Sequence, residues 1–238
     1  MAPSTFPEIL VLCMHDQDIQ ALNTALHTKW PAHAQSVAIN IVNDYLRDLP
    51  SETRFDLIVS PSNSYGLLDG GFDDAISRSF CLPHHDYRSL TTAAQQKLYD
   101  QWRGFAPPGS CTLVTIPSEL QNTNRWRCKY LALCPTMRTP SDARWNREVV
   151  YECVWSLMCE VDRFNNSDQA QQHDKIQTIL ITPLATGAGR VSVERWAVQF
   201  VLALKHFADA LARPERWGSL HWGDIKEAFE VEETWKNN

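Results

Sequence analysis

No stretch of this 238-residue chain holds the roughly 20 consecutive apolar residues that a membrane-spanning helix needs. A surplus of positive charge is also missing: 22 Lys and Arg stand against 28 Asp and Glu, a net charge of -6. Affinity for a phosphate backbone comes from clustered Lys and Arg, so neither a nucleic-acid nor a membrane partner is expected. A small anion is not excluded, because backbone N–H groups and a helix dipole attract one without net positive charge. The opening residues Met1–Glu8 lack a basic segment, and the run Ile9–Met14 stops at His15-Asp16. That run is read as a buried strand, not a secretory leader. The seven cysteines, scattered from Cys13 to Cys159, show no disulfide framework, which points to a reduced intracellular setting, cytoplasmic or nuclear. Neither a cofactor nor a metal is expected, since Cys81 and His84 have no second ligand pair. No internal repeat is present.

What the chain does have is alternation. It is 44% hydrophobic and 21% charged, the composition of a globular protein, and its length suits one decorated domain over residues 1–238. Strands are expected at Glu8–Met14, Ser36–Val42, Phe55–Ser60, Cys111–Ile116, Lys129–Cys134 and Gln177–Thr182. Helices are expected from Asp16, with Ile19, Leu22 and Leu26 on one face, and along Trp145–Met158 and Val193–Phe207, whose apolar residues recur at three and four. Trp145, Trp155 and Trp196 fit those core stripes. Asp86–Arg103 reads as an added helix within an insertion near 86–109, Asn165–Asp174 as a mobile polar loop, and 214–238 as an extension with a last helix around Ile225–Val231. Strands alternating with helices imply a largely parallel sheet covered on both faces. Ligands in such sheets sit beyond the strands' carboxyl ends.

Two loops leave strands at that edge. The first runs Ser60-Pro-Ser-Asn63-Ser-Tyr-Gly66-Leu-Leu-Asp-Gly70-Gly71-Phe72-Asp73 and enters a helix through Ala75 and Ile76. Its paired glycines let backbone approach a ligand, and the helix start offers unpaired N–H groups. Asn63 is suited to a sugar hydroxyl, and Asp73 to orienting a hydroxyl or a water. The plainer reading is a tight turn that Asp73 caps, with Asn63 serving local backbone. The second loop, Pro183-Leu-Ala-Thr186-Gly187-Ala188-Gly189-Arg190, precedes a helix that Ser192 caps. Its glycines permit a nest of N–H groups around a diphosphate, although an ordinary strand-to-helix connection has the same composition. Neither loop is a Walker motif or a complete Gly-x-Gly-x-x-Gly. Together, in order on one sheet, they mark a candidate site for a nucleoside diphosphate carrying a sugar.

Ser60-Pro-Ser-Asn63, Gly70-Gly71-Phe72-Asp73-Asp74-Ala75-Ile76 and Thr186-Gly187-Ala188-Gly189, with Asn43-Asp44-Tyr45 upstream, resemble the loops of the macro domain family, whose members bind ADP-ribose. The resemblance implies a three-layer α/β/α sandwich with a central mixed, largely parallel sheet. It implies ADP-ribose or ADP-ribosylated protein as the ligand. Asp44, with Tyr45 beside it, would read the adenine edge; Asn63 would meet the distal ribose. Gly70, Gly71 and Phe72 would lie along the diphosphate and distal ribose, and Thr186, Gly187, Ala188 and Gly189 would wrap the diphosphate. For Asp44 the alternative is a solvated acidic face. Arg190 would either contact phosphate or point to solvent.

The departures bear on catalysis. Family hydrolases often carry a first asparagine where Ser60 stands and a histidine where Ser77 stands, four residues beyond Asp73. Binding is therefore the expected activity. The alternative is hydrolysis of an ADP-ribosyl-protein bond or of ADP-ribose 1″-phosphate, using Asp73. His84 and His85 have the right chemistry for acid–base work, but a His-His pair beside Pro83 also suits a surface turn.

Overall fold

The computed structural model describes residues 6–81, 84–168, 170 and 175–236. Among these residues six strands form one sheet: β1 (Glu8–Leu12), β2 (Ile39–Val42), β3 (Leu57–Ser60), β4 (Thr112–Thr115), β5 (Tyr130–Leu133) and β6 (Thr178–Ile181). Their spatial order is β2-β1-β6-β3-β5-β4, and only the β4–β5 pair is antiparallel. Each lies within its expected stretch. Strands β3 and β5, Leu-Ile-Val-Ser and Tyr-Leu-Ala-Leu, are buried at every residue. That continuous apolar character is what a parallel strand covered on both faces requires.

Alternate side chains feed two cores. Val11, Val59, Ala132 and Ile181 face α1 (Asp16–Lys29), α5 (Val149–Asn165) and α6 (Val193–Ala212). Leu12, Ile58, Leu131 and Leu180 face α2 (Gly71–Phe80), α3 (Ser89–Trp102) and α4 (Ser118–Thr123). The result is a three-layer sandwich with a mixed, mostly parallel centre. Helix α6 is apolar on most sides because α1, α5 and a C-terminal helix all pack on it. After α6 come α7 (Pro214–Trp217) and α8 (Glu227–Lys236), which docks through buried Val231 and a 2.8 Å bond from Gln199 Nε2 to Thr234 Oγ1. Helix α3 gives the segment 86–109 its own share of core through Leu90, Ala94 and Leu98. Among the described residues no helix is long and apolar enough to cross a membrane.

Two expectations need correction, and one helix is added. Trp145 is not a core residue: α5 begins only at Val149, and the ring is 63% exposed. The chain before α5 instead follows turns such as Asn146 N to Ala143 O, which end the helical periodicity the spacing suggested. Asn165 is no part of a solvated loop. It ends α5, is buried, and holds Ile176 by both its N–H (2.9 Å) and its carbonyl (2.8 Å); residues 169 and 171–174 of that segment lie outside the described residues. Helix α4 was not anticipated, because six residues with a single buried Leu120 leave no periodic stripe.

Asp56 ties the central strands at their starts. Its Oδ2 accepts from Gln177 N (2.8 Å) and Thr178 N (3.0 Å) of the β6 entry, and its carbonyl accepts from Lys129 N and Tyr130 N at β5. Asp56→Ala orphans two amide donors and should lower unfolding stability by roughly 1–3 kcal/mol in urea titrations. Asp56→Asn, which keeps an acceptor oxygen, should lose less.

Candidate functional site

Beyond the carboxyl ends of β1, β3, β5 and β6 lies a cavity of about 470 Å³, within the range of small-molecule sites. Its walls are the segments that leave those strands: 14–18 after β1, 61–73 after β3, 136–140 after β5 and 182–189 after β6. Strands β3 and β6 are hydrogen-bonded neighbours, so their loops face one space.

The β3 loop is held open by its own side chains. Asn63 Nδ2 donates to Leu67 O (2.8 Å), and Asn63 Oδ1 accepts from Tyr65 N (3.0 Å). The carboxamide thus lines the cavity while its bonds serve the loop. Ser64 N reaches Met137 O across to the β5 loop. The chain enters α2 through Gly71 in a left-handed conformation (φ +57°), and a side chain added at Gly70 or Gly71 would meet nothing within 4 Å. The backbone there is open to an approaching group. Gly71 N and Phe72 N, at the start of α2, have no acceptor among the described residues.

The β6 loop is tighter. Ala185 (φ +62°) and Arg190 (φ +57°) both occupy the left-handed region that non-glycine residues seldom adopt. Bonds from Arg190 N to Gly187 O and from Val191 N to Ala185 O fix the curve. The amides of Thr186, Gly187, Ala188 and Gly189 find no acceptor among the described residues. Two rows of unpaired N–H donors therefore line the cavity, one at the start of α2 and one in this loop. Their common preference is for an anion.

Asp73 is buried in the cavity wall, and Ser60 Oγ donates to its Oδ1 at 2.6 Å. Burial raises its pKa to about 7; the Ser60 bond opposes the rise, and the Asp69 charge adds to it. Ser77 is buried and spends its hydroxyl on Leu68 O (2.7 Å), bracing the loop. Ser62 and Thr136 belong to the same wall, but their hydroxyl oxygens are buried behind it, without a partner among the described residues. An unsatisfied buried hydroxyl costs about 1–3 kcal/mol, so this serine and threonine of the wall are kept at a cost to stability.

Of the residues expected from sequence, Asn63, Gly70, Gly71, Phe72, Asp73 and Thr186–Gly189 line the cavity. Ser60 stands behind Asp73 and touches the cavity only through it. Asp44 and Tyr45 are not among the lining residues: Asp44 Oδ1 accepts from Tyr45 N, and the half-exposed Tyr45 ring carries the Arg47 guanidinium. Arg190 is absent from the lining as well, as are His84 and His85. Among the described residues no cluster of candidate metal ligands occurs.

The wall contributes two carboxylates that sequence reading passed over, Asp69 beside Gly70 and Asp18. Asp18, 4% exposed at the start of α1, lines the cavity with His15, and burial raises its pKa. The signal was present. Asp18 shares the core face of α1 with Leu22 and Ala25, so an acid stands where the stripe calls for an apolar residue.

Two outcomes follow from this geometry. A methyl group at Gly189 would meet Ala185 O at 2.5 Å, whereas one at Gly187 meets nothing within 4 Å. Gly189→Ala should cost about 1–3 kcal/mol of stability as an overpacked backbone contact, and Gly187→Ala almost nothing, in parallel denaturant titrations. Asp73 has a folded pKa raised above its unfolded value, so the folded state binds the extra proton between about pH 4 and 7. Its stability contribution is complete at the acid end of that window and lost as pH rises through about 7. Asp73→Asn should therefore gain stability relative to wild type from pH 4 to pH 8, by up to roughly 4 kcal/mol, read from paired unfolding curves. A pH-independent difference would remove the buried-acid account.

Comparison with known proteins adds the family. The Macro-like domain family matches residues 8–216. No curated protein matches. Similar solved structures include an Oceanobacillus iheyensis macrodomain with ADP, at 14% identity and a TM-score of 0.48, covering 66% of this chain and 72% of that one. The G37V mutant of that macrodomain with ADPR shows 13% identity and a TM-score of 0.48, covering 66% and 73%. The same macrodomain with MES bound shows 14% identity and a TM-score of 0.47, covering 79% and 86%. With its family match running from the first strand to α7, this chain belongs to the Macro-like domain family.

Proposed function

We propose that the chain binds ADP-ribose, free or attached to a protein, in the cavity at the strands' carboxyl ends. The observation that carries this reading is the two rows of unpaired backbone N–H groups, Gly71-Phe72 and Thr186–Gly189, lining one cavity. A diphosphate between them satisfies both rows without a lysine or arginine in the wall, which suits an acidic chain. The family's loop sequences point to the same ligand.

In this reading the distal ribose lies toward Asn63 and Asp73, and the adenine lies toward Asp18 and His15. The buried Asp18 carboxyl takes the role that the motif order had suggested for Asp44, accepting from the adenine amino group. Calorimetry with ADP-ribose, ADP and NAD tests the central claim; absence of heat and of thermal stabilisation with ADP-ribose would sink it. Gly187→Val should weaken ADP-ribose by about tenfold or more while leaving the unfolding transition in place, because the added side chain enters open cavity space. Asp18→Ala should weaken ADP-ribose more than ribose 5-phosphate, and Asp44→Ala should affect neither. Equal losses for both ligands in Asp18→Ala would remove adenine recognition from Asp18.

A second reading rests on Asp73. A carboxyl poised near pH 7 in the wall, held by Ser60, suits a general base that draws a proton from water attacking an ADP-ribosyl bond or a 1″-phosphate. Incubation with mono-ADP-ribosylated protein and with ADP-ribose 1″-phosphate tests it against Asp73→Asn. Equal turnover by both proteins would exclude Asp73 from the chemistry, and no turnover by either would leave binding as the activity.

A further inference from the structure

Arg190, which the β6 loop turns out of the central cavity, lines a second depression of about 780 Å³. Its other cations are Arg144, Arg147, Arg195 and Lys236, and its one lining carboxylate is Glu194. Not all five positive charges are available. Arg144 is paired with Asp142, and Lys236 with Glu232 at 2.7 Å. Arg147, Arg190 and Arg195 have no carboxylate within ion-pair distance among the described residues. Three guanidiniums thus share a lining with one acid, Glu194, while Asp142 acts on the Arg190 charge from beyond ion-pair distance, in a chain whose net charge is -6.

The arrangement is braced. Arg195 is 9% exposed; its Nη2 donates to Asn146 O at 2.8 Å, while its Nε is buried with no partner among the described residues. Keeping an arginine so buried in a wall of like charges is costly to stability. Arg147 lies over the Trp235 ring, 4.4 Å from its centroid, and Trp235 Nε1 is anchored on Glu148 Oε1 (3.0 Å). Glu148 acts on the Arg195 charge, but from beyond ion-pair distance. Ser192, also in the lining, caps the 20-residue α6, whose positive end adds to the same field.

We propose that this depression is a second anion site, distinct from the central cavity, that takes a diphosphate or a comparably compact, multiply charged phosphate. A single carboxylate offers two oxygens to one guanidinium fork. A diphosphate offers enough oxygens to engage Arg147, Arg190 and Arg195 together, with bidentate, charge-assisted bonds. The loop from Gly187 to Arg190 is shared by the two sites: Gly187–Gly189 line one, and Arg190 lines the other.

Calorimetric titration with inorganic pyrophosphate at fixed ionic strength, with and without saturating ADP-ribose, tests this. The comparison protein is the double variant Arg147→Gln/Arg190→Asn. Both positions are exposed, and asparagine tolerates the left-handed backbone at 190, so the fold should be kept; thermal unfolding checks that it is. Wild type should bind pyrophosphate with ADP-ribose present. The double variant should lose about tenfold or more of that affinity while binding ADP-ribose as wild type does. Full displacement of pyrophosphate by ADP-ribose, equal pyrophosphate binding by the folded variant, or no saturable heat beyond that of sodium chloride would each overturn the proposal. If ADP-ribose itself fails to bind, the two proteins titrated with pyrophosphate alone still decide the matter, so the two readings fail separately.

Discussion

Parallel pairing is the constraint on which everything else rests. When β1, β6, β3 and β5 run the same way, their carboxyl ends must emerge at one edge, and every chain leaving them must cross that edge before returning as a helix. The strands are short, four or five residues each, so the loops begin close to the core. A cavity bordered by four loop segments follows directly from that geometry. The antiparallel β4 lies at the sheet's margin, away from it.

The chemistry of the edge is set by what the core denies it. Asp73 sits where water is scarce, so its charge is expensive to maintain, and Ser60 supplies its side-chain hydrogen bond. Asp18 is under similar pressure at the other wall. Ser62 and Thr136 carry buried hydroxyls with no partner among the described residues. A folded chain that needed only stability would fill these positions with apolar side chains. For Asp18 and Asp73, which line the cavity, a ligand or its water offers the partners that the core does not.

Sequence carried the sheet well and the site unevenly. Strands such as β3 and β5 were legible because burial on both faces demands an unbroken apolar run, and α6 because its stripe is continuous. The two loops were legible from their glycines and their position after strands. Direction was not. Whether Arg190 turns toward the cavity or away from it depends on the left-handed curve at Ala185 and Arg190, which residue types alone do not specify. Asn63 reads equally as a ligand donor or a loop brace until its bonds to Leu67 and Tyr65 are seen. Asp18 was hidden by a local rule: acids are common in a helix's first turn, and that explanation masked its place on the buried face. Trp145 failed for the opposite reason, since a periodic pattern ran on past the point where turns had stopped the helix.

The glycines of the two loops answer to different masters. Gly189 is barred from change by its own backbone, because any side chain strikes Ala185 O whether or not a ligand is ever bound. Gly70 and Gly187 have open space beside them, and only an incoming molecule has reason to keep it open. Divergence in this lineage should therefore leave a readable trace. A descendant that abandons its ligand is free to lose Gly70 and Gly187 early, while Gly189 persists for as long as the loop folds.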